Sequence, residues 1–336
     1  MPSNQQLISV FIPTYNGGAY IQECLHAILC QHLPESYELE ILVIDSGSTD
    51  GTVDMLRSFG SEIRLIEIPN SQFGHGKTRQ LAAELCNGEF ILYLSQDATP
   101  ADQNWLVNMI EPFFLNDRVG CVVGRQTPRK DAVPTIKREV ITAFRSIGAA
   151  DAITIYSDRC LVDGSKAVRA STFFSDVNSA VRRELLTGPV PFRDLQYAED
   201  QALATDMLAA GYLKAYAGKG NALHSNEYGI KAYYHRKFDE YSALIDLEHP
   251  IVTSLGSLLT DWFRPTRRDW RFIRRDRDYS WWAKLVWSCK TPFYNVANFA
   301  GRFYAVRYAG NRQKHADHSL EARNRRATAQ RQDVAD

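Results

Sequence analysis

From Leu7 to about Gly124, short apolar runs alternate with helix-like segments, and few architectures accommodate that alternation. The runs are Ile8 to Ile12, Glu40 to Ile44, Ile63 to Ile68, Phe90 to Leu94 and Val119 to Val123. Strands spaced by helices predict βαβ units, hence an α/β fold with a mainly parallel central sheet flanked by helices. Ala19 to Gln31 carries Tyr20, Ile21, Cys24, Leu25, Ile28 and Leu29 at helical spacing, one stripe for the sheet. Ser48 or Thr49 is the expected cap of the next helix, with Asp50 in its first turn. Between Arg125 and Ser171 the pattern fades into a polar, Pro-bearing stretch, which suits either a substrate loop or a simple surface excursion. It returns with a strand over Phe173 to Val181, a helix over Tyr197 to Ala210 stopped by Gly211, and a strand over Leu213 to Ala217 leading towards His224.

With 39 Lys and Arg against 39 Asp and Glu, the balanced charge argues against nucleic acid as the main partner. The 6 cysteines lack C-x-x-C spacing, so neither a zinc ribbon nor a disulfide framework is suggested, and a reducing cytosol fits. Met1 to Gln6 has neither the basic nor the apolar stretch of a secretion signal, so a cytoplasmic protein is expected.

Open parallel sheets bind ligands outside the carboxyl ends of their strands, where Pro13, Tyr15, Asp45 and Asp97 fall. Tyr15 suits stacking on a nucleobase and Asp45 suits accepting the imide N–H of uracil or thymine; the plainer alternative is a turn and a helix cap. Asp97 can bring a divalent ion, Mg²⁺ or Mn²⁺, to diphosphate oxygens, with His224 as a nitrogen ligand or else a structural histidine. Gly76, Lys77 and Arg79 sit where Gly74-His75-Gly76-Lys77-Thr78-Arg79 opens a helix, a place that favours phosphate. The same segment is a near-miss to a P-loop, because the first Walker glycine falls on Ser71; a nucleoside triphosphatase is the rival of another class. Asp200 suits a general base that takes a proton from an attacking hydroxyl. Its neighbour Glu199 points about 100° away on a helix, so one of the pair reaches the reacting oxygen; alternatively both serve the helix dipole.

Ile12-Pro13-Thr14-Tyr15-Asn16, Val43 to Asp50 with Asp45-Ser46-Gly47-Ser48, Ser95-Gln96-Asp97-Ala98 and Tyr197-Ala198-Glu199-Asp200-Gln201 together resemble the family 2 glycosyltransferases of GT-A fold, over about Leu7 to Ser225. His75-Gly76-Lys77-Thr78-Arg79 with Gln96-Asp97-Ala98 is similar to the bacterial rhamnosyltransferase branch. The resemblance implies a nucleotide-sugar donor, dTDP-L-rhamnose, and a saccharide or polyprenyl-lipid-linked acceptor in O-antigen, lipopolysaccharide core or capsule synthesis. It also implies an inverting displacement with Asp200 as base and donor contacts from Pro13, Thr14, Tyr15, Asp45, Ser46, Gln96 and Asp97. The metal ligands it implies are Asp97 and His224. A UDP- or GDP-sugar donor is the alternative within the family. Ser95-Gln96-Asp97 stands in place of the usual Asp-x-Asp, which suits a deoxyribose donor lacking the 2′-hydroxyl.

Residues 1–250 are the expected catalytic domain, 251–310 an aromatic and basic helical appendage, and 311–336 a disordered polar tail. From Asp261 to Gly310 there are 11 basic residues against 4 acidic ones. Thr291 as cap, Pro292 in the first turn and Gly310 past the end predict a helix of about 18 residues. Charges interrupt every apolar run, so no span of the roughly 20 residues a bilayer requires is present. An anchor lying on the cytoplasmic face of the inner membrane is expected; the alternative is that the aromatics pack on the catalytic domain or across a dimer.

Overall fold

A computed structural model describes residues 6–157, 172–195, 197–247, 251–320 and 322–323. The chain divides into two compact units, Met1–Pro128 with Val140–Ser225, and Arg129–Glu139 with Asn226–Asp336.

Among the described residues, the first unit is built on a 9-stranded sheet. Strands β1 (Gln6–Thr14), β2 (Tyr37–Asp45), β3 (Arg64–Glu67) and β4 (Phe90–Leu94) run parallel in the order β3-β2-β1-β4. Beyond β4 the directions mix. Strand β5 is the short Thr99–Pro100, β6 is Val119–Thr127, β7 is Ile153–Tyr156, β8 is Asn178–Arg182 and β9 is Leu213–Leu223. β8 is antiparallel to both β4 and β6, β9 is parallel to β6, and β5 and β7 are antiparallel on β9. The expected mainly parallel sheet is therefore parallel in its first part and mixed in its second. Apolar runs reveal that a strand exists and is covered on both faces; they carry no sign of its direction.

Helices α1 (Gly18–Leu29), α2 (Thr52–Arg57), α3 (His75–Leu85) and α4 (Trp105–Leu115) fall between these strands. In α1 the stripe Ile21, Cys24, Leu25 and Ile28 is buried, whereas Tyr20 is exposed. Helix α2 begins later than expected. Ser48 Oγ is spent on Asp45, Gly51 takes the cap position at φ 87°, and Asp50 Oδ1 accepts the Thr52 N–H at 3.1 Å. The stretch expected to be irregular holds the end of β6, helix α5 (Pro134–Ile147) and β7, while 158–171 lies outside the described residues. β9 outruns its expected end at Ala217 because Gly218 and Gly220 interrupt the apolar pattern. A Cβ at Gly124 of β6 would sit 2.4 Å from the Gly220 carbonyl, so the two backbones need this close approach. Helices α6 (Arg183–Leu186) and α7 (Glu199–Ala209) also belong to this unit.

The second unit contains α8 (Ile230–Asp246), α9 (Leu258–Arg275), α10 (Trp281–Arg307) and α11 (Arg312–His318). The division falls after Ser225 rather than after residue 250, because α8 packs along α10. Pro292 does not start a helix: it lies inside α10, which is capped by Ser280 Oγ accepting the Ala283 N–H at 3.2 Å. Proline lacks the N–H that the Ser288 carbonyl would otherwise receive. The indole of Trp270 supplies it instead, at 2.9 Å. Part of the expected disordered tail is the ordered α11, held to α8 by a bond between the His235 ring and the His318 carbonyl at 2.6 Å; residues 324–336 lie outside the described residues.

Candidate active site

Three loops at the carboxyl ends of β1, β2 and β4 are fastened to one another. Thr14 and Asp45 pair in register at the ends of β1 and β2. Asp45 is fully buried; its Oδ1 accepts the N–H groups of Gly47 at 2.9 Å and Ser48 at 2.8 Å, and its Oδ2 accepts the Ser48 hydroxyl. Ser46 donates its N–H and its hydroxyl to the Thr14 carbonyl. Gln96 is spent on the backbone of Tyr15: its amide oxygen accepts the Tyr15 N–H at 2.9 Å and its NH₂ donates to the Tyr15 carbonyl at 3.1 Å. A Cβ at Gly17 would stand 2.8 Å from the Gln96 amide oxygen, so glycine is required for this bridge. Pro13 and Tyr15 keep part of their surface open, while Thr14 is buried.

An acidic cluster adjoins this floor. Arg79 of α3 is nearly buried and places Nε 2.8 Å from Asp176 Oδ2 and Nη1 2.9 Å from Glu199 Oε1. Asp176 also accepts the Ser179 hydroxyl at 2.7 Å. At the start of α7, Asp200 Oδ1 accepts the Gln201 N–H at 2.7 Å and Oδ2 the Asp176 N–H at 3.3 Å. Burial, then the neighbouring charges of Glu199 and Asp176, push the Asp200 carboxyl well above the usual carboxylate range; Arg79 offsets them in part. Burial, opposed by Arg79 and reinforced by Glu199, lifts Asp176 to about 6. Among the described residues, three carboxylates share one guanidinium here.

Asp176 is absent from the reading of the sequence. It precedes β8, and Leu94 of β4 pairs with Asn178 while the Ser95 N–H reaches the Val177 carbonyl at 3.2 Å. The start of an antiparallel strand therefore lies at the same sheet edge as the ends of the parallel ones. The available signal was an acidic residue inside the strand expected over Phe173 to Val181; β8 begins only at Asn178, which leaves Asp176 just before it, and its direction decides which sheet edge that is. The same contacts join the Asp97 loop to Asp200 through Ser95, Val177 and Asp176.

The helix start read as a phosphate cradle has other occupations. The Gly76 N–H donates to the Leu195 carbonyl at 3.3 Å, and a Cβ there would lie 1.9 Å from the Arg193 carbonyl oxygen. Gly76 is thus a packing glycine, Arg79 faces carboxylates, and Lys77 is exposed. The triphosphatase reading thereby loses the Gly76 N–H as a backbone donor.

Asp97 follows β4, and His224 follows β9, whose final residues run beside β6. His224 Nε2 lies 3.4 Å from Asp97 Oδ2; the imidazole is buried and the carboxylate side chain keeps 33% of its surface open. Burial raises the Asp97 carboxyl, but the His224 ring beside its Oδ2 more than offsets this and holds it below the ordinary value. Among the described residues no three His, Cys, Asp or Glu side chains enclose an ion site. One open carboxylate and one imidazole fit a hard divalent ion that takes its remaining ligands from phosphate and water.

A sequence model of glycosyl transferase family 2 matches residues 9–186. The chain is 32% identical over 238 residues to the O-antigen chain rhamnosyltransferase RfbN of Salmonella typhimurium, covering 69% of this chain and 70% of that one. It is 32% identical over 242 residues to the O-antigen chain rhamnosyltransferase WbaN of Salmonella anatum, covering 71% of each. Among solved structures, the mannosyltransferase PcManGT of Pyrobaculum calidifontis in complex with GDP-Man and Mn²⁺ superposes with a TM-score of 0.58 at 18% identity, over 90% of this chain and 86% of that one. S. aureus TarS 1–349 in complex with UDP-GlcNAc superposes with a TM-score of 0.52 at 15% identity, over 89% and 92%. The shared architecture is the GT-A type.

Proposed function

Because this chain belongs to glycosyl transferase family 2, we propose that it is an inverting rhamnosyltransferase of bacterial surface polysaccharide synthesis, moving L-rhamnose from dTDP-L-rhamnose to a hydroxyl of a saccharide or polyprenyl-linked acceptor. The donor reading rests on the likeness to two O-antigen rhamnosyltransferases along about 70% of the chain. The observation that carries the mechanism is the division of labour in the acidic cluster: Arg79 binds Asp176 and Glu199, and Asp200 is oriented by backbone N–H groups.

Asp200 takes the proton of the acceptor hydroxyl as that oxygen attacks the anomeric carbon. The bond from that carbon to the diphosphate breaks on the opposite face, and the configuration inverts. A base so placed contributes about 10² to 10⁴ in rate. A carboxyl with a raised pKa keeps its proton to higher pH and, once ionised, is a stronger base than an ordinary aspartate. Glu199 is the poorer candidate of the two, since its oxygen is committed to Arg79.

Tyr15 offers its ring to the base. Asp45 has lone pairs beyond those its loop uses, enough for an imide N–H. Gln96, Ser46 and Thr14 hold the loops in place. Asp97 and His224 are the residues that would hold Mg²⁺ or Mn²⁺, which when bound supplies positive charge to the departing diphosphate. Ser95, in place of a first carboxylate, suits a deoxyribose donor. The expected location is the cytoplasmic face of the inner membrane; among the described residues no helix is long and apolar enough to cross a bilayer.

Thermal shift with dTDP-rhamnose, UDP-sugars and GDP-sugars, each with and without Mn²⁺, tests the donor. The expected result is a shift largest for dTDP-rhamnose and greater with Mn²⁺. A clear preference for a UDP- or GDP-sugar would overturn the donor while leaving the family untouched.

A further inference from the structure

Single exposed apolar side chains are ordinary on a protein surface, and aligned ones are not. On α10, Trp282, Leu285, Cys289, Phe293 and Val296 recur at steps of three and four residues, and all are exposed. The other side of the same helix, with Tyr294, Ala297, Gly301 and Ala305, is buried. At 1.5 Å per residue the exposed stripe is about 20 Å long. α9 contributes Leu259, Phe263 and Trp270, exposed by 73%, 50% and 41%.

The two helices are held in register. Trp270 Nε1 donates to the Ser288 carbonyl at 2.9 Å and Trp262 Nε1 to the Pro292 carbonyl at 3.1 Å. Phe263 and Phe293, each next in sequence to a residue of the second contact, therefore stand at matching heights, as do Trp270 and Cys289 at the first. Arg264, Arg267 and Arg268 are exposed along α9 between Phe263 and Trp270, and Arg271 and Arg274 are exposed beyond Trp270. Two copies pressing such faces together would oppose like charges, whereas a surface of phosphates would neutralise them.

We propose that this face of α9 and α10 rests on an anionic lipid bilayer, with the aromatic rings at headgroup level and the arginines against lipid phosphates. The inference rests on the membrane-side enzyme proposed above for its purpose, since an active unit tethered this way meets a lipid-linked acceptor. Lipid binding itself is measured without any sugar.

The test is flotation of the full chain with vesicles of phosphatidylcholine alone and of phosphatidylcholine with phosphatidylglycerol, at moderate salt, beside transfer to a water-soluble acceptor. Wild-type protein is expected to float with the anionic vesicles only. Phe293→Glu with Trp282→Glu, and separately Arg267→Glu with Arg271→Glu, are expected to lower vesicle binding at least about tenfold while transfer in solution continues. The proposal is overturned if wild-type protein stays in the soluble fraction, if both variants float as wild type does, or if Phe293→Glu instead dissolves a dimer seen by sedimentation. Flotation without rhamnosyl transfer would sink the donor reading and leave this surface standing.

Discussion

In the second unit Asp269 is fully buried and meets Arg138, the Thr135 hydroxyl at 3.2 Å and the Asn295 amide at 2.8 Å. In the first unit Arg79 faces Asp176 and Glu199 directly, with Asp200 alongside. The two clusters use the same residue types and differ in balance. One carboxylate with one guanidinium and two neutral donors is satisfied, a structural ion pair that ties 129–139 to the helices of its unit. Among the described residues, three carboxylates with one guanidinium leave negative charge in excess, and desolvation makes that excess costly. The excess shows as carboxyls that resist ionisation, and a carboxyl held above its ordinary range is, once ionised, the stronger base for taking a proton from a hydroxyl.

The comparison breaks first at Asp200. Asp200→Asn is expected to lower transfer by about 10² to 10⁴ with donor affinity kept. A rate within tenfold of wild type would remove Asp200 from its role. Thermal stability is expected to hold or rise at neutral pH, and the sign follows from linkage. A carboxyl whose folded pKa lies above its unfolded one contributes stability below the unfolded value, and that contribution disappears as pH rises through the folded value. The neutral amide keeps it.

Arg79→Met comes next. Removing the guanidinium from a buried acidic cluster is expected to cost about 3 to 5 kcal/mol, read by urea unfolding. It also lifts both Asp176 and Asp200 further, so the acid limb of kcat/KM moves to higher pH. In wild type that limb is itself expected above the ordinary carboxylate range. An acid limb left in place would show that Arg79 only supports the fold.

The smallest effect is expected from Asp269→Asn, about 1.5 to 3 kcal/mol, since shape and some hydrogen bonds survive the loss of charge. Its pH–rate profile should coincide with that of wild type; a displaced limb would mean that the two clusters are not independent.

Much of this was legible along the chain. The first four parallel strands lie where apolar runs and intervening helix patterns put them, and Asp97 and His224 follow strands as expected. Gln96 and Ser46 were singled out from the motifs, yet each is spent on the backbone of a neighbouring loop, an occupation that spacing does not show. Gly76 and Arg79 read as phosphate ligands because a glycine and a cation at a helix start are the usual local signature. Their partners, Arg193, Leu195, Asp176 and Glu199, come from distant segments. Pro292 misled in the same way: a proline inside α10 is tolerated because the indole of Trp270, from another helix, satisfies the Ser288 carbonyl it strands.

Sequence alone determined the α/β class, the edge of the sheet that bears polar loops, and the aromatic and basic character of the later helices. These are local matters, because periodicity, turn chemistry and composition are properties of neighbouring residues. Tertiary structure decided that β8 runs backwards, that Asp176 therefore joins Asp200, and that Arg79 neutralises acids. Burial and charge balance depend on every segment that crosses one point in space, and no stretch of chain holds that sum by itself.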